Sequence, residues 1–257
     1  MQTCRLIVDP GGAGDWNMAL DEALLESAAT DSPPCLRFYQ WSQPTLSLGY
    51  FQESAERDQH AASRDAPLVR RASGGGAILH HHELTYSFTC HQRERYAVHP
   101  QVLYDAIHQT LVNSLSQWGI QSSLYQQIPP LQQFQPQTSA QKSSAEPFLC
   151  FERRALGDVV LEGKKICGSA QRRGKTGILQ HGSILLTQSK LAPELPGIQE
   201  LSGVALTPKS LQNIWTLRLA ERLSLVFALD NPTPVEINLA EAIQAEKFGS
   251  DPWTHRR

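Results

Sequence analysis

Three consecutive glycines, Gly74, Gly75 and Gly76, follow Arg70, Arg71 and Ser73 and lead into Ala77-Ile78-Leu79-His80. Glycines between two strand-like runs weaken a sheet, because they have no side chain to pack and lose much entropy on ordering. Either a ligand lies directly against bare backbone, with N–H groups and two arginines available to a carbonyl or phosphate, or the chain makes a tight hairpin turn. A hairpin normally needs one glycine, so the count favours the ligand. A phosphate-binding P-loop is excluded by the missing Gly-Lys-Ser/Thr ending.

A second cluster runs from Asp158 to Leu186. Val159-Val160-Leu161 and Lys165-Ile166-Cys167 flank Glu162-Gly163-Lys164, a hairpin pattern with glycine in its turn. Regular alternation puts Lys165 and Cys167 on one face and Ile166 on the other. Gly168-Ser169-Ala170 and His181-Gly182-Ser183 are runs that let a ligand or another strand come close. Alone, Lys165 reads as a solvated surface charge. Cys150 stands in Phe148-Leu149-Cys150-Phe151, where apolar residues return after a polar stretch. That setting suits a reactive thiol at the edge of the packed structure; the alternative is a buried structural thiol. His80, His81 and His82 cannot all address one metal ion from a strand. His80 is expected to line the site and the other two to lie at the surface.

Short runs separated by Gly, Pro and Ser predict strands over Cys4 to Val8, Cys35 to Gln40, Thr45 to Phe51, Leu68 to Arg71, Ala77 to His80 and Leu84 to Cys90, read as a meander. Leu103, Ile107, Leu111 and Leu115 predict an amphipathic helix closed by Gly119. A second helix is predicted over Pro208 to Leu229, and a third over Trp16 to Ala28 with Asp21 and Glu22 facing away from its apolar side. Gln121 to Pro147, rich in Gln, Ser and Pro, predicts a flexible surface loop. Strands and helices without regular alternation favour an α+β fold.

The 257 residues and 40% hydrophobic content suit one domain over 1–257. With 23 Lys and Arg against 25 Asp and Glu, no broad field addresses nucleic acid or an anionic membrane, so recognition of a charged partner must be local. No secretory signal or membrane span is visible, and five scattered cysteines form no C-x-x-C pair. The expected compartment is the cytoplasm, with free thiols and no structural zinc.

Four motifs in order, Asn17-Met18-Ala19-Leu20-Asp21-Glu22-Ala23, Leu46-Ser47-Leu48-Gly49-Tyr50-Phe51-Gln52, R-R-x-S-G-G-G-A-I-L-H followed by E-L-T-Y-S, and G-K-K-I-C-G-S-A-Q followed by L-Q-H-G-S-I-L-L, resemble the lipoate-protein ligase A and octanoyltransferase family. Its catalytic domain is shared with biotin protein ligases. The resemblance implies mixed, mostly antiparallel sheets flanked by helices. It also implies a medium-chain acyl group held between Arg70, Arg71, Ser73, Gly74, Gly75, Gly76 and His80 on one side and Gly168, Ser169, Ala170, His181 and Gly182 on the other. Lys165 matches the family lysine that contacts the acyl carbonyl.

Cys150 stands where the cysteine-dependent octanoyltransferases carry theirs, and only about seventy residues follow Ser183, short for the extra domain common in ATP-using ligases. The implied reaction moves an octanoyl group from acyl carrier protein, through a Cys150 thioester, to a lysine of a lipoyl-domain protein such as glycine cleavage H protein or a 2-oxoacid dehydrogenase E2. No cofactor is expected; ATP and Mg²⁺ enter only under the alternative of a lipoate or octanoate ligase. A second alternative is amidotransfer between lipoyl domains. Lys165 is the expected cation favouring the Cys150 thiolate, with N–H groups near Gly75, Gly76 or Gly168 for the oxyanion. Cys167 is expected to be packing.

Overall fold

In the computed structural model, which describes residues 1–28, 32–126 and 147–257, the strand-forming runs of the first half divide between two sheets instead of forming one meander. The strands are β1 (Gln2–Gly12), β2 (Cys35–Trp41), β3 (Thr45–Leu48), β4 (Leu68–Arg70), β5 (Ile78–His80), β6 (Glu83–His91), β7 (Ser123–Leu124), β8 (Val159–Leu161), β9 (Lys164–Arg173), β10 (Gly177–Leu185) and β11 (Leu225–Leu229). The larger sheet has the order β11-β1-β2-β6-β10-β9-β8-β7, and the smaller β4-β3-β5. Only β11, β1 and β2 run parallel in the larger sheet, and the fold is α+β with a mostly antiparallel sheet. The helices are α1 (Gly14–Glu26), α2 (Arg95–Val98), α3 (Pro100–Leu115), α4 (Ile198–Ser202), α5 (Pro208–Leu223), α6 (Pro234–Ile243) and α7 (Asp251–Thr254).

The period-two pattern of β2 shows how the sheet is covered. Leu36 and Phe38 join the core built with Leu103, Ile107 and Leu111 of α3 and Trp215 and Leu219 of α5. Cys35, Tyr39 and Trp41 point the other way, into a core shared with Leu20, Ala23 and Leu24 of α1 and Ala240 of α6. Each fully buried aliphatic side chain contributes about 1.5–3 kcal/mol. Arg37 projects towards α1, and this corrects the expectation for that helix. Asp21 is 2% and Glu22 7% exposed. Asp21 accepts from Arg37 at 2.8 Å, from Tyr39 at 2.8 Å and from Ser87 at 2.7 Å, while Glu22 takes Lys247 and Arg172. A carboxylate on an apolar helix face is stable when such donors surround it.

Two further expectations change. The helix predicted to Leu229 stops at Leu223, because Ser224 turns left-handed (φ 53°) and Leu225–Leu229, rich in strand formers, pairs in parallel with β1. Within the predicted loop 121–147, Ser123 and Leu124 pair with Val160 and Val159. Residues 127–146 of that loop lie outside the described residues.

Candidate active site

The smaller sheet seats the segment that carries Cys150. Ala77 N–H donates to the Phe148 carbonyl at 2.9 Å, and Cys150 N–H donates to the Ala77 carbonyl at 2.7 Å. Leu149 is fully buried and Phe151 nearly so, in a core with Leu46, Leu48 and Leu79. The half-buried cysteine opens a 3₁₀ turn, Cys150–Glu152. The backbone is therefore fixed on both sides of the thiol while the sulfur remains accessible.

The glycine loop is no hairpin turn, since β4 and β5 flank β3 and the loop must cross from one side to the other. Arg71, 3% exposed, holds it from beneath. Its guanidinium donates to the Ser47 carbonyl at 2.9 Å, to Gly74 at 2.9 Å and to Gly76 at 2.6 Å. Gly75 has φ +98°, open to glycine almost alone. The position its side chain would take lies 3.1 Å from Arg71 Nη2 and 3.8 Å from Cys150 Sγ, so guanidinium and sulfur are within about 7 Å of each other. Burial pushes the Arg71 guanidinium down to about 10.

Protein backbone takes part of the room the glycines leave. A side chain at Gly49 would begin 1.9 Å from the Gly75 carbonyl oxygen, and one at Gly76 2.9 Å from that of Phe148. Gly49→Ala is therefore expected to displace the loop and slow acylation of Cys150 by about 100-fold with little change in circular dichroism, a result checked by single-turnover mass spectrometry.

Arg70 was expected to be available to a ligand and is not. It is fully buried, bound to the carbonyls of Gly49, Gln52 and Thr254, and lies outside the cavity wall. Ser73 and Gly76 also stand behind that wall; Ser73 Oγ is 2.7 Å from His181 Nε2.

Glu162 and Gly163, with φ 48° and 72°, form the two-residue turn that joins β8 to β9. Val160 faces Lys165 but Val159 faces Cys167, so Ile166 is an extra residue, a β-bulge. The bulge overturns the expected alternation. Lys165 shares a face with Gly168, whose missing side chain leaves room for Lys165 Cε 2.3 Å away. Cys167 instead enters the core, where burial pushes its thiol well up. Lys165 is 8% exposed, and its ammonium meets Asp158 at 2.9 Å. Asp158 also accepts from Tyr104 at 3.0 Å and from Ala155 N–H at 2.7 Å. Lys165 thus has a buried counter-ion of its own, and Arg71 offers the second cation near the sulfur.

Cys150 and Lys165 line one cavity of ≈270 Å³. Of the residues singled out from sequence, Arg71, Gly74, Gly75, His80, Gly168, Ser169, Ala170, His181 and Gly182 also line it. Met18, Tyr39, Ile78 and Phe151 supply apolar walls that residue types alone did not reveal, although Met18 and Ile78 belong to quoted motifs. His80, Thr85 and Ser183 direct hydrogens of their wall groups to one buried carboxylate. Glu83 Oε1 accepts from His80 Nδ1 at 2.6 Å, Thr85 at 2.6 Å and Ser183 at 2.9 Å. His80 stacks on Trp41, with ring centroids 3.8 Å apart. His82 is exposed and His81 partly so.

Behind Ser169, His108 donates through Nδ1 to the Gly157 carbonyl at 2.7 Å, which leaves Nε2 to accept from Ser169 at 2.6 Å. Burial pushes both His108 and His181 down to about 4. An unfolded histidine takes its proton near about 6.5. The stability conferred by these neutral rings is therefore complete above 6.5 and is lost as pH falls from 6.5 towards 4. At pH 5 each contributes about 2 kcal/mol less. The urea midpoint is expected to fall between pH 7 and pH 5, and less steeply in His181→Asn; equal slopes would contradict a neutral ring at position 181.

Among the described residues no group of three or more His, Cys, Asp or Glu is arranged to hold a metal ion, and no helix is long and apolar enough to cross a membrane.

Comparison with known proteins bears on this geometry. The family model for the lipoyl protein ligase A/B catalytic domain matches residues 14–210. The chain is 33% identical over 287 aligned residues to the octanoyltransferase LipM of Kyrpidia tusciae, covering 100% of both chains. It is 32% identical to that of Geobacillus kaustophilus, covering 94% of each. Among solved structures, the bipartite lipoate protein ligase of Thermoplasma acidophilum superposes with TM-score 0.75 at 20% identity, over 99% of this chain and 96% of that one. A lipoate-protein ligase A bound with ATP superposes with TM-score 0.76 at 22% identity, over 99% of each chain. At these identities the structural matches speak for the fold.

Proposed function

The chain belongs to the lipoyl protein ligase A/B catalytic-domain family, and from that membership we propose that it is an octanoyltransferase whose acyl group passes through a thioester on Cys150. It is an acyltransferase of the kind its full-length relatives are named for. The observation that carries the Cys150 reading is an accessible thiol and a buried lysine on the wall of one largely apolar cavity.

The donor is octanoyl acyl carrier protein, and the acceptor a lysine of a lipoyl-domain protein, glycine cleavage H protein or a 2-oxoacid dehydrogenase E2. In the first step Cys150 Sγ bonds to the acyl carbon as the carrier's sulfur leaves; the proton lost by Cys150 is taken up by the departing thiol. In the second, the acceptor amine bonds to the same carbon, the Cys150 C–S bond breaks and the sulfur regains a proton from the amine. Thioester exchange is nearly isoenergetic and amide formation drives the sequence forward, so neither nucleotide nor metal is required. The Lys165 ammonium, fixed by Asp158, donates to the acyl carbonyl. Arg71, within about 7 Å of the sulfur, favours negative charge there. The amides of Gly74 and Gly75, which line the cavity, serve the tetrahedral oxyanion, typically ~3 kcal/mol per donor. The expected compartment remains the cytoplasm.

The test is intact-mass analysis after incubation with octanoyl acyl carrier protein. An octanoyl adduct that forms without ATP and disappears on adding acceptor is the expected result. Pyrophosphate release dependent on free octanoate or lipoate and ATP would instead establish a ligase.

A further inference from the structure

The overall charge of −2 offers an acidic partner no general attraction, yet cations are concentrated beside the cavity mouth. Trp253 Nε1 donates to the Arg70 carbonyl at 2.8 Å and Arg70 Nε donates to that of Thr254 at 3.0 Å, which clips α7 and the residues after it onto β4. The clip lays Arg256 over Tyr50, 4.3 Å from the ring centroid, and Arg257 over Phe51 at 5.6 Å. Ser54 N–H and Oγ both bind the Arg257 carbonyl. Arg256 and Arg257 depress the Arg70 guanidinium, after burial itself, so three like charges stand within mutual reach. Neither exposed guanidinium meets a carboxylate among the described residues. Glu56, the nearby acid, is engaged by Gln52 at 3.1 Å and by the Glu53 amide at 3.2 Å.

Phe51, which Arg257 covers on one side, remains 67% exposed. Its ring lies 3.8 Å from the position a side chain on Gly74 would take, and Gly74 lines the cavity. An apolar contact point flanked by exposed arginines laid over aromatic rings and without a carboxylate partner, next to a reaction cavity, has the make-up of a docking surface. We propose that the Tyr50, Phe51, Arg256 and Arg257 surface docks the acyl donor, an acidic carrier protein whose thioester hangs on a phosphodiester-linked arm. Acidic side chains and the arm's phosphate both complement the arginines. The acceptor is disfavoured there, because its reacting group arrives as a lysine ammonium, which the same charges repel.

The inference rests on the octanoyl-transfer reading, and the experiment separates the two. Single-turnover acylation is measured with octanoyl acyl carrier protein and with the uncharged thioester S-octanoyl-N-acetylcysteamine, in wild type, in the R256E/R257E double variant and in Phe51→Ala. The expected result is at least a tenfold loss of kcat/KM for the carrier donor in the charge-reversed variant, a smaller loss in Phe51→Ala, and unchanged rates with the small thioester. In wild type the carrier reaction should weaken as salt rises, and in R256E/R257E this dependence should vanish. Unchanged carrier kinetics, equal losses with both donors, or a loss confined to deacylation by the lipoyl-domain acceptor would each overturn the assignment. Absence of any adduct in wild type would remove the transfer reading itself, and the docking proposal with it.

Discussion

Cys150→Ala is expected to abolish the octanoyl adduct and to lower transfer to a lipoyl domain by roughly 10⁴-fold or more, the scale on which enzymes lose rate with their nucleophile. The fold should not change. Cys150 is half-buried, its position is held by backbone bonds to Ala77, and its neighbours Leu149 and Phe151 provide the packing. Intact mass after exposure to octanoyl acyl carrier protein reads the adduct, and a coupled assay on the acceptor reads transfer. The other four cysteines are internal controls. They are buried, and burial pushes the thiols of Cys4, Cys35, Cys90 and Cys167 up, so they should take no acyl group. Transfer at the normal rate by the alanine variant would show that the acyl group never rests on this sulfur.

Lys165→Ala should have two separable effects. Removing the ammonium from the acyl carbonyl lowers acylation by about 100- to 1000-fold, in the range of a lost preorganised donor. It also strands the Asp158 carboxylate, 1% exposed, without its counter-ion, which destabilises the fold by about 3–5 kcal/mol. The double variant Lys165→Ala with Asp158→Asn removes the stranded charge; the amide oxygen can accept from Ala155 N–H while its NH2 donates to the Tyr104 hydroxyl, which turns to accept. It should regain most of the stability, measured by urea denaturation, and none of the rate. Recovery of both would mean that Lys165 acts only through the fold; recovery of neither would mean that Asp158 has a further role.

The local chemistry of this site was legible in the sequence to the extent that spacing determines it. The glycine count between Arg71 and His80 marked a backbone approached closely, and the Glu162-Gly163 turn and the ordered motifs located the hairpin. Long-range partners were not legible. Nothing in the run Cys35 to Trp41 says that Arg37 will meet Asp21 across α1, so the acidic residues of that helix read as solvent-facing. Arg70 and Arg71 are adjacent and chemically alike, yet one ties down α7 and the other the glycine loop. Their division of labour depends on where β4 ends, since Arg70 is its last residue and Arg71 already lies beyond it. The helix extended to Leu229 failed because an apolar run fits either period, and only the open side of β1, more than two hundred residues earlier, decides between them.

The extra residue at position 166 makes the chemistry of the hairpin a matter of parity. Deleting Ile166 would leave Lys165 opposite Val160 and Cys167 opposite Val159, and so keep each group on its present face. Straightening the strand with that residue retained would instead part the ammonium from Gly168 and bring the thiol at 167 to the ammonium's side. Whether the thiol at 167 sits in the core or beside the ammonium is therefore set by the bulge, so a change that straightens the strand alters the chemistry while leaving each named group in place.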